Sequence, residues 1–284
     1  MDFKLGKDNS VIKVGDVVDI IEKAVPAVLQ EEWDNSGLLI GFEENPVDKI
    51  LTCLEIDRKV LDEAIAADVD MIITHHPLIF SGIKALNDSD YKGGIIMDII
   101  KSGISVYSCH TPFDKVKGGN NDIIMTKLGL TSIKNLSGMD VVAVSKMIDR
   151  HDEADIGRTG ELKDAMVFRD VIGLVADKLD MSIRQIHAAG DLDAKITKIG
   201  CCSGAGADLA LMAAGSGCQL FITGDVKYHE AQDVLQSGMC IIDAGHYGTE
   251  KFFSEAMKDL LDKKLDAKVT VIASEVVLDP FVVL

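Results

Sequence analysis

The sequence predicts an α/β fold built as two similar lobes, and two observations carry that expectation. Apolar strands alternate with helical segments along the chain, the pattern of parallel strands whose faces are covered by helices. The same order then returns: residues 49–74 lie on 198–223 without a gap at an offset of 149, with Lys49/Lys198, Ile50/Ile199, Cys53/Cys202, Ala64/Ala213, Ile73/Ile222 and Thr74/Thr223 coinciding. Two βαβ units share an apolar pattern by necessity, so the identities alone do not separate likeness from duplication. The order continues past the match, each copy ending in a strand with histidine after it, and this favours an internal duplication.

In chain order, "KILTCLEI" (49–56) is β-rich, "DRKVLDEAIAADV" (57–69) is helical and "DMIIT" (70–74) is a short buried strand. A helix around "GGIIMDIIKSG" (93–103) leads into the strand "ISVYSC" (104–109). Between the copies, "SKMIDRHDEADIGRTGEL" (145–162) is polar and glycine-punctuated and reads as a loop, and "DAMVFRDVIGLVADKLD" (164–180) reads as an amphipathic helix. The second copy supplies strand "ITKIGCC" (196–202), helix "ADLALMAAGSG" (207–217) and strand "QLFIT" (219–223). Helix "EAQDVLQSG" (230–238) and strand "MCIIDA" (239–244) complete it. The lobe boundary falls near residue 128, giving lobes over 1–128 and 129–284, with the segment from about 239 to 284 expected to pack back on the first.

At 284 residues the chain can bury a large core. Its 29 Lys and Arg against 46 Asp and Glu give a net charge of −17, which repels phosphate backbones and anionic membranes and disfavours nucleic-acid partners. The N-terminus lacks a basic region followed by an unbroken apolar segment, and no apolar run approaches a membrane span, so a cytoplasmic protein is expected. Six cysteines, two of them adjacent, make neither a disulfide framework nor a paired CxxC zinc pattern and read as reduced core thiols.

Four polar clusters fall just past strands: His75 and His76 in "THHP", His110 and Asp114 in "CHTPFD", Asp225 and His229 in "GDVKYHE", His246 and Glu250 in "GHYGTE". Parallel α/β sheets bind ligands outside the carboxyl ends of their strands, so four clusters at that edge point to one site. Adjacent side chains leave an extended backbone in opposite directions, so "THHP" suits two neighbouring ions, one per histidine. Histidine and carboxylate donors without thiolate suit zinc, iron, manganese or nickel. His151 and His187, without ligand-like companions, read as surface residues. "GCCSGAGADL" (200–209) reads as a tight strand–helix turn in preference to a phosphate cradle, since it lacks a Walker lysine and the GxGxxG spacing. "WDNSGLLIG" reads as a turn anchored by a buried Trp33 in preference to a stacking platform.

The motifs "EEWDNSGLLIG", "ITHHPLIF", "YSCHTPFDKVKGGNND", "IGRTGEL", "ITGDVKYHEA", "DAGHYGTE" and the terminal "DPFVVL" occur in this order. Together they resemble the NIF-three-like (NGG-one-interacting factor three) family, whose bacterial members are labelled GTP cyclohydrolase I type 2 homologues. The resemblance covers nearly the whole chain from about residue 11. It implies a duplicated pair of α/β lobes with a dinuclear metal site between them at the strand ends, assembled as a homohexamer. It carries the ligands onto His75, His76, Asp114, His246 and Glu250, with Glu250 bridging two divalent ions. Two ions about 3.5–4 Å apart can share a water and lower its pKa towards neutrality. His110 is then the expected acid/base, or a further weaker ligand, and Asp225 and His229 are expected to bind substrate. The resulting expectation is a metal-dependent hydrolase acting on a nucleotide- or heterocycle-like small molecule; the other class is a non-catalytic metal carrier or interaction protein.

Overall fold

The computed structural model describes residues 11–137 and 156–283. In chain order they begin with α1 (Val14–Ala24), β1 (Gly37–Ile40), β2 (Lys49–Cys53), α2 (Arg58–Ala66) and β3 (Met71–Thr74). Next come α3 (Tyr91–Ser102), β4 (Ser105–Ser108), α4 (Thr111–Lys115), α5 (Asn120–Lys127) and β5 (Thr131–Asn135). There follow β6 (Arg158–Val167), α6 (Phe168–Lys178), β7 (His187–Ala189), β8 (Lys195–Cys201), α7 (Ala210–Gly215) and β9 (Leu220–Thr223). The last elements are α8 (Tyr228–Gln236), β10 (Cys240–Asp243), α9 (His246–Glu250), α10 (Phe253–Leu265) and β11 (Thr270–Ala273). They form two compact units, Met1–Phe113 with Phe253–Leu278, and Asp114–Phe252 with Asp279–Leu284.

The first unit is a five-stranded sheet in the order β1-β4-β3-β2-β11. Strands β11, β2, β3 and β4 are parallel and β1 closes the edge antiparallel. Every residue of β3 and β4 is buried, as strands covered on both faces require. Local chemistry sets the helix ends. The Asp57 carboxylate accepts from Val60 N at 2.8 Å and caps α2, the Asp90 carboxylate accepts from Gly93 N at 3.0 Å and caps α3, and Gly103, left-handed at φ 71°, stops α3. Register aligns Cys53 with Thr74 and Thr74 with Ser108, so the chain leaves all three strands at one edge.

The second unit is a six-stranded sheet in the order β5-β6-β8-β9-β10-β7. Its parallel centre β8-β9-β10, closed by the antiparallel β7, repeats β2-β3-β4 closed by β1 in both order and direction. Phe168, Val171 and Val175 of α6 and Ile124 and Met125 of α5 pack into one buried cluster with Ile199, Leu220 and Ile222.

Three expectations change. Residues 158–162, read as a loop, form the start of β6, which pairs antiparallel with β5 and β8; residues 145–155 of that polar stretch, with His151, lie outside the described residues. Strand β6 runs on to Val167, so the helix expected from residue 164 begins at Phe168. The chain enters the second unit at Asp114, ahead of the boundary read near residue 128; Phe253–Leu278, part of the segment expected to pack back on the first lobe, belongs to the first unit. All six cysteines are unbridged and buried. No helix among the described residues is long and apolar enough to cross a membrane.

Candidate functional site

In the first unit, three imidazoles converge at the carboxyl edge of the sheet. Candidate ligand atoms of His75, His76 and His110 lie within 4.8 Å of one another, and their ring centroids are 5.1–5.6 Å apart. The expectation that His75 and His76 diverge does not hold, because the backbone bends immediately after Thr74 and the two-residue alternation of a strand ends there. The bend is tied down on both sides: His75 N donates to Cys53 O, His76 N to Leu54 O, Cys109 N to Thr74 O and Ser108 Oγ to His75 O.

The outer nitrogens are the informative ones. His75 Nδ1 is 2.9 Å from the carbonyl oxygen of Cys109, which can only accept, so Nδ1 is the donor in that contact. His110 Nδ1 is 2.8 Å from the Asp34 carboxylate, and His76 Nδ1 is 3.8 Å from that of Glu55. Ligating histidines in metal proteins are oriented by this kind of outer contact. Asp34 has a fully buried side chain that also accepts from Asn35 N at 2.7 Å, Ser36 Oγ at 3.0 Å and Thr111 N at 3.1 Å, with Thr111 Oγ1 adding a further bond. Burial pushes its pKa up, but the hydrogen bonds from His110 and Thr111 outweigh it and hold the carboxyl well below the usual carboxylate range.

In the second unit, the carboxylates of Asp114 and Glu250 bring ligand atoms within 4.8 Å of each other, both side chains nearly inaccessible to water. Asn120 Nδ2 at 2.8 Å and Ser203 Oγ at 3.2 Å donate to Asp114 Oδ1 and orient the group. His246 Nε2 is 3.0 Å from Glu250 Oε2, one turn along α9, and its Nδ1 is 2.7 Å from Asp225 Oδ2. The glycine-rich segment after β8 is the expected tight turn. Ser203 N donates to Asn121 Oδ1, Gly204 N to Thr249 Oγ1 and Gly206 N to Thr223 Oγ1, so those amides serve the protein itself. Each unit thus carries buried imidazole or carboxylate donors, without thiolate, of the kind that can hold a divalent metal ion.

Asp225 joins this arrangement as a support for His246. His229 does not, lying exposed on α8 with its ring 5.2 Å from that of Tyr228, and His187 is an exposed residue of the edge strand β7. Sequence reasoning passed over Asp34, and the signal was its company: an acid beside Asn and Ser in a turn segment, where carboxylates take backbone donors. Trp33, expected to be buried, is 57% exposed; the Asp34 carboxylate anchors the turn, and the indole is left on the outside.

The chain is similar to known proteins along its length. A Clostridium perfringens protein named GTP cyclohydrolase 1 type 2 homolog is 34% identical over 270 residues, covering 95% of this chain and 99% of that protein. The crystal structure of the Staphylococcus aureus hypothetical protein SA1388 matches 97% of this chain and 100% of its own, with TM-score 0.84 and 27% identity. A Bacillus cereus protein related to NIF3 matches 97% of this chain with TM-score 0.87 at 24% identity, a likeness of fold. The two sheets, the histidine and carboxylate clusters at their edges and a family model matched by residues 12–280 give one conclusion: the chain belongs to the Duf34/NIF3 (NGG1p interacting factor 3) family.

Proposed function

We propose that this protein is a metal-dependent hydrolase that holds two divalent ions through His75, His76, Asp114, His246 and Glu250. Glu250 would serve both ions, and the substrate is a nucleotide- or heterocycle-like small molecule. The observation that supports this is the common engagement of the imidazoles: Nδ1 of His75, His110 and His246 each faces an oxygen acceptor at 2.7–2.9 Å, which leaves Nε2 as the working nitrogen. Metal ligands and proton carriers are oriented through one ring nitrogen in this way. Bound divalent ions would supply Lewis acidity and an acidified water.

The chain's own residues then divide the work. An ionised Asp34 fixes the Nδ1–H tautomer of His110, so His110 Nε2 can take a proton and return it, and Asp34 stabilises the charged ring meanwhile. Asp225 does the same for the orientation of His246. Asn120 and Ser203 aim the Asp114 carboxylate. The cyclohydrolase name of the Clostridium perfringens relative supports the reaction class and the heterocyclic substrate.

The test is a pair of variants assayed for metal and for turnover. Wild-type protein prepared without chelator should approach two ions per chain. His110→Ala should keep them while losing roughly 10²–10⁴-fold in turnover, the usual contribution of a positioned proton carrier. Asp114→Ala should lose metal and turnover together. Loss of metal by His110→Ala would make His110 a ligand instead. A metal-loaded wild type that hydrolyses nothing across nucleotides, cyclic amides and phosphoesters would leave metal carriage as the function.

A further inference from the structure

We propose that Trp33 and Phe80 form a ring-binding subsite beside His110 that takes a planar ring compound bearing an anionic group. As a substrate subsite it deepens the hydrolase reading and rests on it. Trp33 is the only tryptophan of the chain, and it is held in the open. Its neighbours cannot relax to cover it. Asp34 is pinned by its donors, the Asn35 side-chain amide donates to Ile79 O, and Glu31 N donates to Thr111 Oγ1 at 3.0 Å. Phe80, 46% exposed, stands 6.1 Å from the indole, tilted by 43°, and the indole meets the His110 ring edge-on at 5.9 Å. Two large aromatic faces kept in water next to a proton carrier favour a flat apolar partner.

The anionic group follows from charge. Phe80 also lines a cavity of about 520 Å³ whose wall includes Lys84 and Lys92. Neither side-chain ammonium group has an ion pair or hydrogen bond among the described residues. The one acid on that wall, Asp90, accepts from Gly93 N and caps α3, so the wall holds two ammonium groups against one carboxylate. In a chain of net charge −17, such a wall is locally positive and favours an anion.

Because Trp33 is the sole tryptophan, emission excited on the red side of tyrosine absorption reports on this subsite alone. Full-length, metal-loaded protein is titrated with AMP and GMP, and with ribose 5-phosphate as the ring-free control. The nucleotides should change Trp33 emission saturably and ribose 5-phosphate should not. Phe80→Ala should weaken nucleotide binding about five- to 160-fold, the usual weight of one stacked base, with metal content and far-ultraviolet circular dichroism unchanged. Lys84→Gln combined with Lys92→Gln should bring AMP down to the affinity of adenosine. The proposal is overturned if neither nucleotide saturates, if ribose 5-phosphate acts equally, or if Phe80→Ala binds like wild type. It is also overturned if the ligand-free emission shifts to the red on dilution, since a second copy of the chain would then be covering Trp33. Binding read this way needs no turnover. A protein that binds nucleotide but hydrolyses nothing sinks the hydrolase reading alone, and one that turns over substrate with silent Trp33 sinks the subsite alone.

Discussion

Asp34 shows how much of this site rests on one buried charge. A carboxylate without water is costly unless its lone pairs are filled, and here two backbone amides, two hydroxyls and an imidazole fill them. Asp34→Asn would turn an NH₂ towards groups that are themselves donors. We expect metal content to hold, turnover to fall by roughly 10²–10⁴-fold as His110 loses its tautomer, and the melting temperature to drop at neutral pH. The pH dependence has a definite sign. The native pKa of Asp34 lies below its unfolded value of about 3.9, so its stabilisation is complete above that value and is lost as the pH falls towards the depressed native one. The difference in melting temperature between wild type and Asp34→Asn should therefore narrow below about pH 4. A difference that persisted unchanged in acid would show that Asp34 is not held ionised by the fold.

Elements were legible where one face or a whole strand is apolar, and illegible where tertiary contacts overrule composition. "DMIIT" and "QLFIT" read as buried strands because their residues have nowhere else to go. The start of β6 read as a loop because Arg158 and two glycine-flanked polar residues look solvated; in the fold Arg158 is fully buried, its Nε 2.6 Å from Asp122 Oδ1 and its guanidinium on the carbonyls of Lys115 and Gly157. The convergence of His75 and His76 was hidden for a similar reason, since a bend fixed by hydrogen bonds to distant strands leaves no local mark. Glycines separate the two situations by experiment. Gly173 lies inside α6 with open space where a Cβ would stand, so Gly173→Ala should stabilise by about 0.5–1 kcal/mol in thermal or denaturant unfolding. Gly204 is left-handed at φ 63° and its Cβ would come within van der Waals overlap of Glu250 Oε1. Gly204→Ala should cost about 1–2 kcal/mol in backbone strain and lower metal content by displacing Glu250, which calorimetry and elemental analysis would read together.

The whole molecule carries its duplication in an exchanged form. The strand order β1-β4-β3-β2 returns as β7-β10-β9-β8, yet the helix and strand that follow each copy do not stay with it. Helix α5 and β5, which follow the first copy, belong to the second unit, and α10 and β11, which follow the second, belong to the first. The copies are legible in the sequence because each βαβ core is local; the passage of α5 and β5 into the second unit is not, because a strand's partner is a long-range choice that no nearby residue encodes. The exchange has a consequence for stability. Helix α10 packs on β2 and β11 and buries Phe253, Met257, Leu261 and Leu265, while β11 supplies the parallel neighbour of β2 and Thr52 Oγ1 donates to Ser254 O at 2.8 Å. At about 1.5–3 kcal/mol for each buried apolar side chain, those four contribute about 6–12 kcal/mol, the size of a domain's entire stability. A chain ending at Phe252 should therefore lose its first unit while the second keeps its sheet. Amide hydrogen exchange should find β2, β3 and β4 unprotected and β8, β9 and β10 still protected, although every residue of β2, β3 and β4 is present. If those three strands kept their protection without α10 and β11, the first unit would be complete without the exchanged segment, and the exchange would be an incident of chain path with no bearing on folding.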